Sequence, residues 1–425
     1  MFGVFRSSAA TTACAVLFVM ASVSPAAAAK LNTEFPFRGS GFGAGGAIPL
    51  EGNLLYRNQQ LYGATYAGGM IVGPSEADLG ATDLGAIYQY AASGTAPREP
   101  VSLYGFSRPD GAHPNGSLVA DPLGNLYGTT QAGGTHDLGT VFRLSPPTST
   151  AGTWTLVTLH SFSGPDGANP GAGVTIGPDG KLYGTTMAGG AGPPPDSGVV
   201  YTMSTSGTMF RVMTNLFIGV GSRSNVVVDS QGNVLGTTFA TDVARGAGSL
   251  FKVTQAGVYT TVAIFLAVES PDGTSTANPI GNIVRDVNGN VYGMLERAVS
   301  HSNFAPTADG AAVYRVDAVT HNLHILAILD GLAARSGVVR DGAGTLYGTT
   351  VNGGTTGTGS VFSISPSGVV TTLASLSSAN LAPTGGVIID PTGKLWGTSS
   401  AGGVICTTSS NVTPTGCGTL FSLAR

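Results

Sequence analysis

Charge is scarce in this chain. Asp, Glu, Lys and Arg make up 10% of its 425 residues, and the formal net charge is −4. A phosphate backbone needs a basic stripe to grip it; none is present, which excludes nucleic acid as a partner. Cysteine is scarcer still, with three in all. There is no Cys-x-x-Cys, no Gly-x-Ser-x-Gly elbow and no phosphate-binding loop, so the chemistries those motifs carry are excluded. There is no dense carboxylate loop and no His/Cys cluster with enough partners for a metal, so no metal or other cofactor is expected. Beyond the N-terminus no apolar run is long enough to span a bilayer. A helical apolar period of useful length is missing too.

The N-terminus is the exception. Arg6, an apolar run from about Ala13 to Val23, and the small residues Ser24 to Ala29 read as a secretory signal peptide. Residues 1–29 are set apart on that ground. Residues 30–425 are expected to form one exported domain, monomeric, in the periplasm or the medium. Cys14 leaves with the signal peptide, so Cys406 and Cys417 remain for an oxidising compartment, where one disulfide is expected. It would staple the loop between them, an effect of about 2–3 kcal/mol if unstrained.

What the chain has in excess is glycine, at 65 residues, and the glycines follow a repeated phrase. Leu-Tyr-Gly or a variant places a glycine at Gly63, Gly128, Gly184, Gly236, Gly293, Gly348 and Gly397, 49 to 65 residues apart. Asp-x-x-Gly precedes the clearest copies and Thr-Thr-x-x-Gly-Gly follows them. A second phrase comes after each, as in Gly139-Thr140-Val141-Phe142, and then a β-rich run such as Trp154 to Phe162. Each copy reads as four short strands. In the second copy these are Ser117 to Asp121, Leu126 to Thr130, Thr140 to Leu144 and Thr153 to Phe162. Seven such units predict an all-β chain, a seven-bladed β-propeller of four-stranded blades. The last copy stops after its third strand. The unmatched piece Leu31 to Phe37 is expected to complete that blade as its outer strand and close the ring. The glycine of Leu-Tyr-Gly is expected to let neighbouring backbone pack closely.

The phrase Asp-x-x-Gly-x-Leu-Tyr-Gly-Thr-Thr-x-x-Gly-Gly followed by Gly-Thr-Val-Phe resembles the GloVer tandem repeat of secreted bacterial proteins. It is specific in copies two, three and six, good in seven, and eroded in one, four and five. Members often carry a C-terminal sorting anchor, which is not found before Arg425. The resemblance implies an exported, propeller-like repeat protein and no particular reaction.

The connections from second to third strand, and from fourth strand to the next blade, share one face, called the loop face below. Loop residues on a rigid scaffold are common carriers of function. Pro109-Asp110-Gly111, Pro165-Asp166-Gly167 and Pro271-Asp272-Gly273 recur there and read as loop architecture. The recurring Tyr62, Tyr127, Tyr183, Tyr292, Tyr347 and Trp396 read as inter-blade packing. The residues that break the repeat are the site candidates. Blade four has Arg223, Asp242 and Arg245, blade five has Glu296, Arg297 and His301, and blade six has Asp330 and Arg335. Arginine grips carboxylates with a bidentate fork, and Glu296 or His301 could move a proton. These residues admit two readings. One is a binding scaffold for an extracellular ligand, a carbohydrate above all. The other is a polysaccharide lyase or glycoside hydrolase acting on an acidic polysaccharide, with its site on the loops of blades four to six.

Overall fold

The computed structural model of the chain describes residues 31–37, 52–67, 84–94, 99–149, 152–192, 197–216, 221–239, 248–265, 278–302, 305–329, 333–377, 382–402, 406–407, 412–413 and 417–425. For 297–302, 305–309, 406–407 and 412–413 it describes the backbone only. The expected signal peptide lies outside the described residues.

Seven four-stranded antiparallel sheets form the blades of a propeller, and no helix occurs among the described residues. In the second blade the strands are Ala112–Ala120, Leu126–Ala132, Thr140–Ser145 and Thr155–Ser161, in that order from the inner edge outward. Blades one and three to six repeat this meander. The seventh differs. Its order is Val387–Ile389, Leu395–Ser399, Thr419–Leu423 and then Leu31–Pro36, so the outer strand comes from the other end of the chain. Leu31 faces Leu423 and Pro36 faces Thr419 in that pairing. Glu34 in this strand accepts from Lys394 at 3.0 Å, Ser422 at 2.5 Å and Tyr90 of blade one at 3.2 Å.

The core lies between blades. Each of seven apolar clusters joins two neighbours. Tyr127, Val141 and Phe162 of blade two meet Val174, Leu182 and Tyr201 of blade three. Trp396 and Leu420 of blade seven, with Phe35 and Phe37, meet Leu54, Leu61 and Tyr88 of blade one. A four-stranded sheet has two faces to cover, and in a ring every face has a neighbour.

The repeated phrase is a set of buried and half-buried bonds. One carboxylate oxygen of Asp121 accepts the amide of Asn125 at 2.9 Å, and the other accepts the side chain of Asn125 at 2.7 Å and the Tyr127 hydroxyl at 3.0 Å. Asp286 with Tyr292, Asp341 with Tyr347 and Asp390 with Trp396 repeat the contact. At the other end of the second strand, Thr130 and Thr140 bond hydroxyl to hydroxyl at 2.8 Å. Thr238 with Ser249, Thr350 with Ser360 and Ser399 with Thr419 do the same.

Two findings differ from expectation. The glycine of Leu-Tyr-Gly makes room for a ring rather than for backbone. A Cβ at Gly128 would stand 2.6 Å from the Phe142 ring, and one at Gly184 would stand 2.4 Å from the Tyr201 hydroxyl. Close backbone approach occurs instead at the axis, where a Cβ at Gly116 would lie 2.0 Å from the Gly173 nitrogen. There Ser117 of blade two accepts from the Asn53 amide at 2.9 Å and from the Asn282 side chain of blade five at 3.0 Å. The inner strands of blades one, two, three and five thus approach one another closely at the axis.

Candidate functional site

On the loop face, the turns that leave blades one and two are built alike. In the turn after blade one, Asp110 accepts the Ser107 amide at 2.9 Å, the Ser107 hydroxyl at 2.8 Å and the Tyr104 hydroxyl at 2.5 Å. The turn after blade two copies it. Asp166 accepts the Ser163 amide at 2.8 Å, the Ser163 hydroxyl at 2.9 Å and His160 Nε2 at 2.9 Å. His160 stands where Tyr104 stands, stacked on Phe210 with centroids 3.6 Å apart. Burial lowers its pKa and Asp166 opposes that, so the ring serves as a neutral donor to Asp166, as the tyrosine does to Asp110. His113 and Asn169 also correspond, with φ of 57° and 51°. His113 Nδ1 lies 3.0 Å from the Tyr66 carbonyl oxygen, and Asn169 donates to the Gln131 carbonyl at 3.1 Å. These polar groups hold loops in place.

Between blades two and three the loops leave an open hollow of about 490 Å³. Leu138, Pro165, Ala168, Asn169, Ala188 and Ala191 are among its walls. Its floor is made of small residues because the Gly-Gly bend and the Pro-Asp-Gly turn cross there. Beside it, Arg108 and Asp137 form an exposed ion pair of 2.7 Å. The bond from Arg108, with the Gly133 amide, holds the Asp137 carboxyl below its ordinary range. His136, next in sequence, is exposed.

The charged set expected on blades four to six is only partly described. The Arg223 guanidinium lies over the Phe239 ring, 4.3 Å from its centroid. Arg335 is exposed. The Glu296 amide donates to the Asn278 carbonyl at 2.9 Å, and its side chain is half-buried. Arg297 and His301 lie on a strand, not in a loop: Val291–Ser302 pairs with Ala305–Val316, with His301 opposite Pro306. Asp242, Arg245 and Asp330 lie outside the described residues. No group of three or more His, Cys, Asp or Glu able to hold a metal occurs among the described residues. Nor is any described helix long and apolar enough to cross a membrane. Cys417 is fully buried beside Phe35 and Phe37, and the Cys406 side chain lies outside the description.

Arg108 and the hollow were not singled out by the sequence pattern. The signal for Arg108 is one arginine placed just before Pro109-Asp110-Gly111, in a chain with few charges.

The model of the Gloeobacter/Verrucomicrobia repeat matches residues 78–306, more than half of the chain. No curated protein matches. Solved structures with similarity include a nidogen/laminin complex, at 16% identity and a TM-score of 0.40, covering 67% of this chain and 87% of that one. A provisionally assigned 6-phosphogluconolactonase from Bacteroides uniformis has 15% identity and a TM-score of 0.45, over 77% and 85%. A provisionally assigned oxidoreductase (glucose dehydrogenase) from Thermus thermophilus has 12% identity and a TM-score of 0.44, over 93% and 100%. At such identities nothing about activity transfers.

Proposed function

The chain belongs to the Gloeobacter/Verrucomicrobia repeat family, and from that premise we propose that it is an exported, monomeric binding scaffold whose ligand is an extracellular carbohydrate. The observation that carries this reading is the use of the loop-face carboxylates. Asp110, Asp137 and Asp166 each hold a turn, so they act as fixtures. The turn that Asp166 fixes walls a hollow lined by small residues, and Asp137 adjoins its wall residue Leu138. Small walls let a sugar ring come close, and the Arg108–Asp137 pair offers donors and acceptors for hydroxyl groups. In this reading Cys406 and Cys417 form a disulfide that ties their loop to the buried end of blade seven.

The test is a panel of neutral and acidic polysaccharides, scored for binding and for new chain ends. Binding by the purified protein that drops about tenfold or more in Ala191→Trp, which fills the hollow from its exposed wall, supports the scaffold. Binding unchanged by that variant places the ligand elsewhere and sinks this site. New unsaturated or reducing ends that vanish in Glu296→Ala or His301→Ala would replace the scaffold by the lyase or hydrolase reading.

A further inference from the structure

Five blades carry a threonine directly after the glycine of the phrase: Thr129, Thr185, Thr237, Thr349 and Thr398. In three of them the hydroxyl ties the second strand to an inner strand. Thr129 donates to the Ala172 carbonyl of the next blade at 2.8 Å. Thr349 reaches the Gly385 carbonyl of the next blade at 3.3 Å and the Ser336 hydroxyl of its own at 3.0 Å. Thr237 bonds Ser224 of its own blade at 2.7 Å. The hydroxyls of Thr185 and Thr398 have no partner among the described residues. For Thr398 of blade seven the next blade is the first. The counterpart of Ala172 and Gly385 there is Gly52, each standing two residues before a buried Val174, Val387 or Leu54.

Instead of bonding, Thr398 and Gly52 line a common cavity of about 10 Å³, with Gly63 and Tyr88 of blade one and Gly116 of blade two among its other walls. The Tyr88 hydroxyl lies over Gly63, is buried, and has no hydrogen-bond partner. Burial raises its pKa, so it stays a neutral phenol with a proton to donate. Two unpaired hydroxyls from neighbouring blades thus border one small space. Gly52 and Gly116 have only peptide groups to offer, and these are polar too. A cavity of roughly 10–15 Å³ has room for one water, which needs two or more polar partners. No charged residue lines it, so a hard cation would find no carboxylate there.

We propose that this cavity is a binding site for one fixed water, which bridges the Tyr88 hydroxyl of blade one to the Thr398 hydroxyl of blade seven. The water does at this boundary what Thr129 and Thr349 do directly at theirs. The boundary is the one where the two ends of the chain meet. On its outer side the closing strand already holds both blades. The Phe37 amide donates to the Gly418 carbonyl at 2.9 Å, and the Phe37 ring meets the Tyr88 ring edge-on with centroids 5.3 Å apart. Tyr88 therefore touches the closing strand with its ring and the water with its oxygen. A bridging water is nearly as good a link as a direct bond, and it removes the cost of two unpaired buried hydroxyls.

The experiment is a high-resolution crystal structure of the purified protein, joined to urea denaturation of Tyr88→Phe, Thr398→Val and the double variant. An ordered water within hydrogen-bond distance of both Tyr88 Oη and Thr398 Oγ1 is expected. Each single variant should lower the folding equilibrium constant about fivefold or more. The double should lose clearly less than the product of the two, because the same water is lost only once. Tyr314→Phe, in a blade where Met294 replaces the threonine, gives the cost of the exchange without such a bridge. No water at this place, or a direct bond from Thr398 to the Gly52 carbonyl in its stead, overturns the proposal. So does a Tyr88→Phe variant as stable as the parent, or a double variant whose losses multiply.

Discussion

Blade two and blade five share one end of the repeated phrase and differ at the other. At the turn end, Asp121 and Tyr127 in blade two have the same bond as Asp286 and Tyr292 in blade five, at 3.0 and 3.1 Å. At the loop end, blade two pairs Thr130 with Thr140 through their hydroxyls. Blade five pairs Leu295 with Ala312 in the same register, both buried. Two residues distant in sequence have changed together. In blade two both carry a hydroxyl and in blade five neither does, whereas blades one and three keep only the threonine of the second strand, Thr65 opposite Ala86 and Thr186 opposite Val199. An unpaired buried hydroxyl is costly, and a lone threonine needs backbone partners instead, as Thr186 has in the Ala188 carbonyl and the Val199 amide. A copy that departs from the phrase is therefore not, by that fact, a site. Met294 and Leu295 belong to the core, and only Glu296 and the residues beyond it stay open as candidates.

The comparison breaks most visibly if half of the pair is exchanged. Leu295→Thr removes carbon from a packed position and buries an unpaired hydroxyl, for an expected loss of about 3 kcal/mol. Adding Ala312→Thr should restore about 1–2 kcal/mol through the hydroxyl bond seen in blade two. Urea denaturation of both singles and the double gives the coupling. A coupling indistinguishable from zero would mean that the two positions changed independently.

That concerted change also shows what the sequence could tell. The ring was legible because the phrase recurs seven times, and because an outer strand was missing at one end and spare at the other. The Asp–Tyr spacing was visible as a pattern, though its bond was not. The hollow was not legible, since Ala168, Ala188 and Ala191 read as ordinary loop filler. Blade five was misread where it left the phrase. Glu296, Arg297 and His301 were expected on a loop, yet the two strands pair on to Ser302 and Ala305. Most of the blade-four and blade-six candidates fall outside the described residues, so spacing remains the only argument for them.

The shared end should respond equally in both blades. Burial alone would raise the pKa of Asp121 and Asp286, but hydrogen bonds from Asn125 and Tyr127, and from Asn290 and Tyr292, outweigh it and hold both carboxyls below their ordinary range. Asp229, Asp341 and Asp390 are shifted the same way. A folded pKa below the unfolded value means that the unfolded chain binds more protons as the pH drops. The contribution is thus complete above about pH 4 and is lost as pH falls through the folded pKa. The melting temperature should be flat near neutrality and drop steeply in acid. Asp121→Asn and Asp286→Asn should each cost about 1 kcal/mol at neutral pH and make the acid limb shallower. A clear effect in one blade only would mean that the two turns are alike in shape but not in energy.

The smallest expected effect concerns the ring over the phrase glycine. Blade two has Phe142 above Gly128, and blade five has Tyr314 above Gly293. Tyr314 is fully buried, and its hydroxyl has no hydrogen-bond partner among the described residues. A buried hydroxyl without a partner has lost its water and gained nothing in return. Tyr314→Phe should therefore leave stability unchanged or raise it by up to about 1 kcal/mol, measured by denaturation. Phe142→Tyr, which adds the same oxygen to blade two, should lower it. If Tyr314→Phe instead destabilises, the hydroxyl has a partner, and an internal water between the ring and the inner strand is the one that fits a site of that size. The two blades would then differ in hydration as well as in sequence, and the tyrosines over Gly63 and Gly184 would be the next places to look for it.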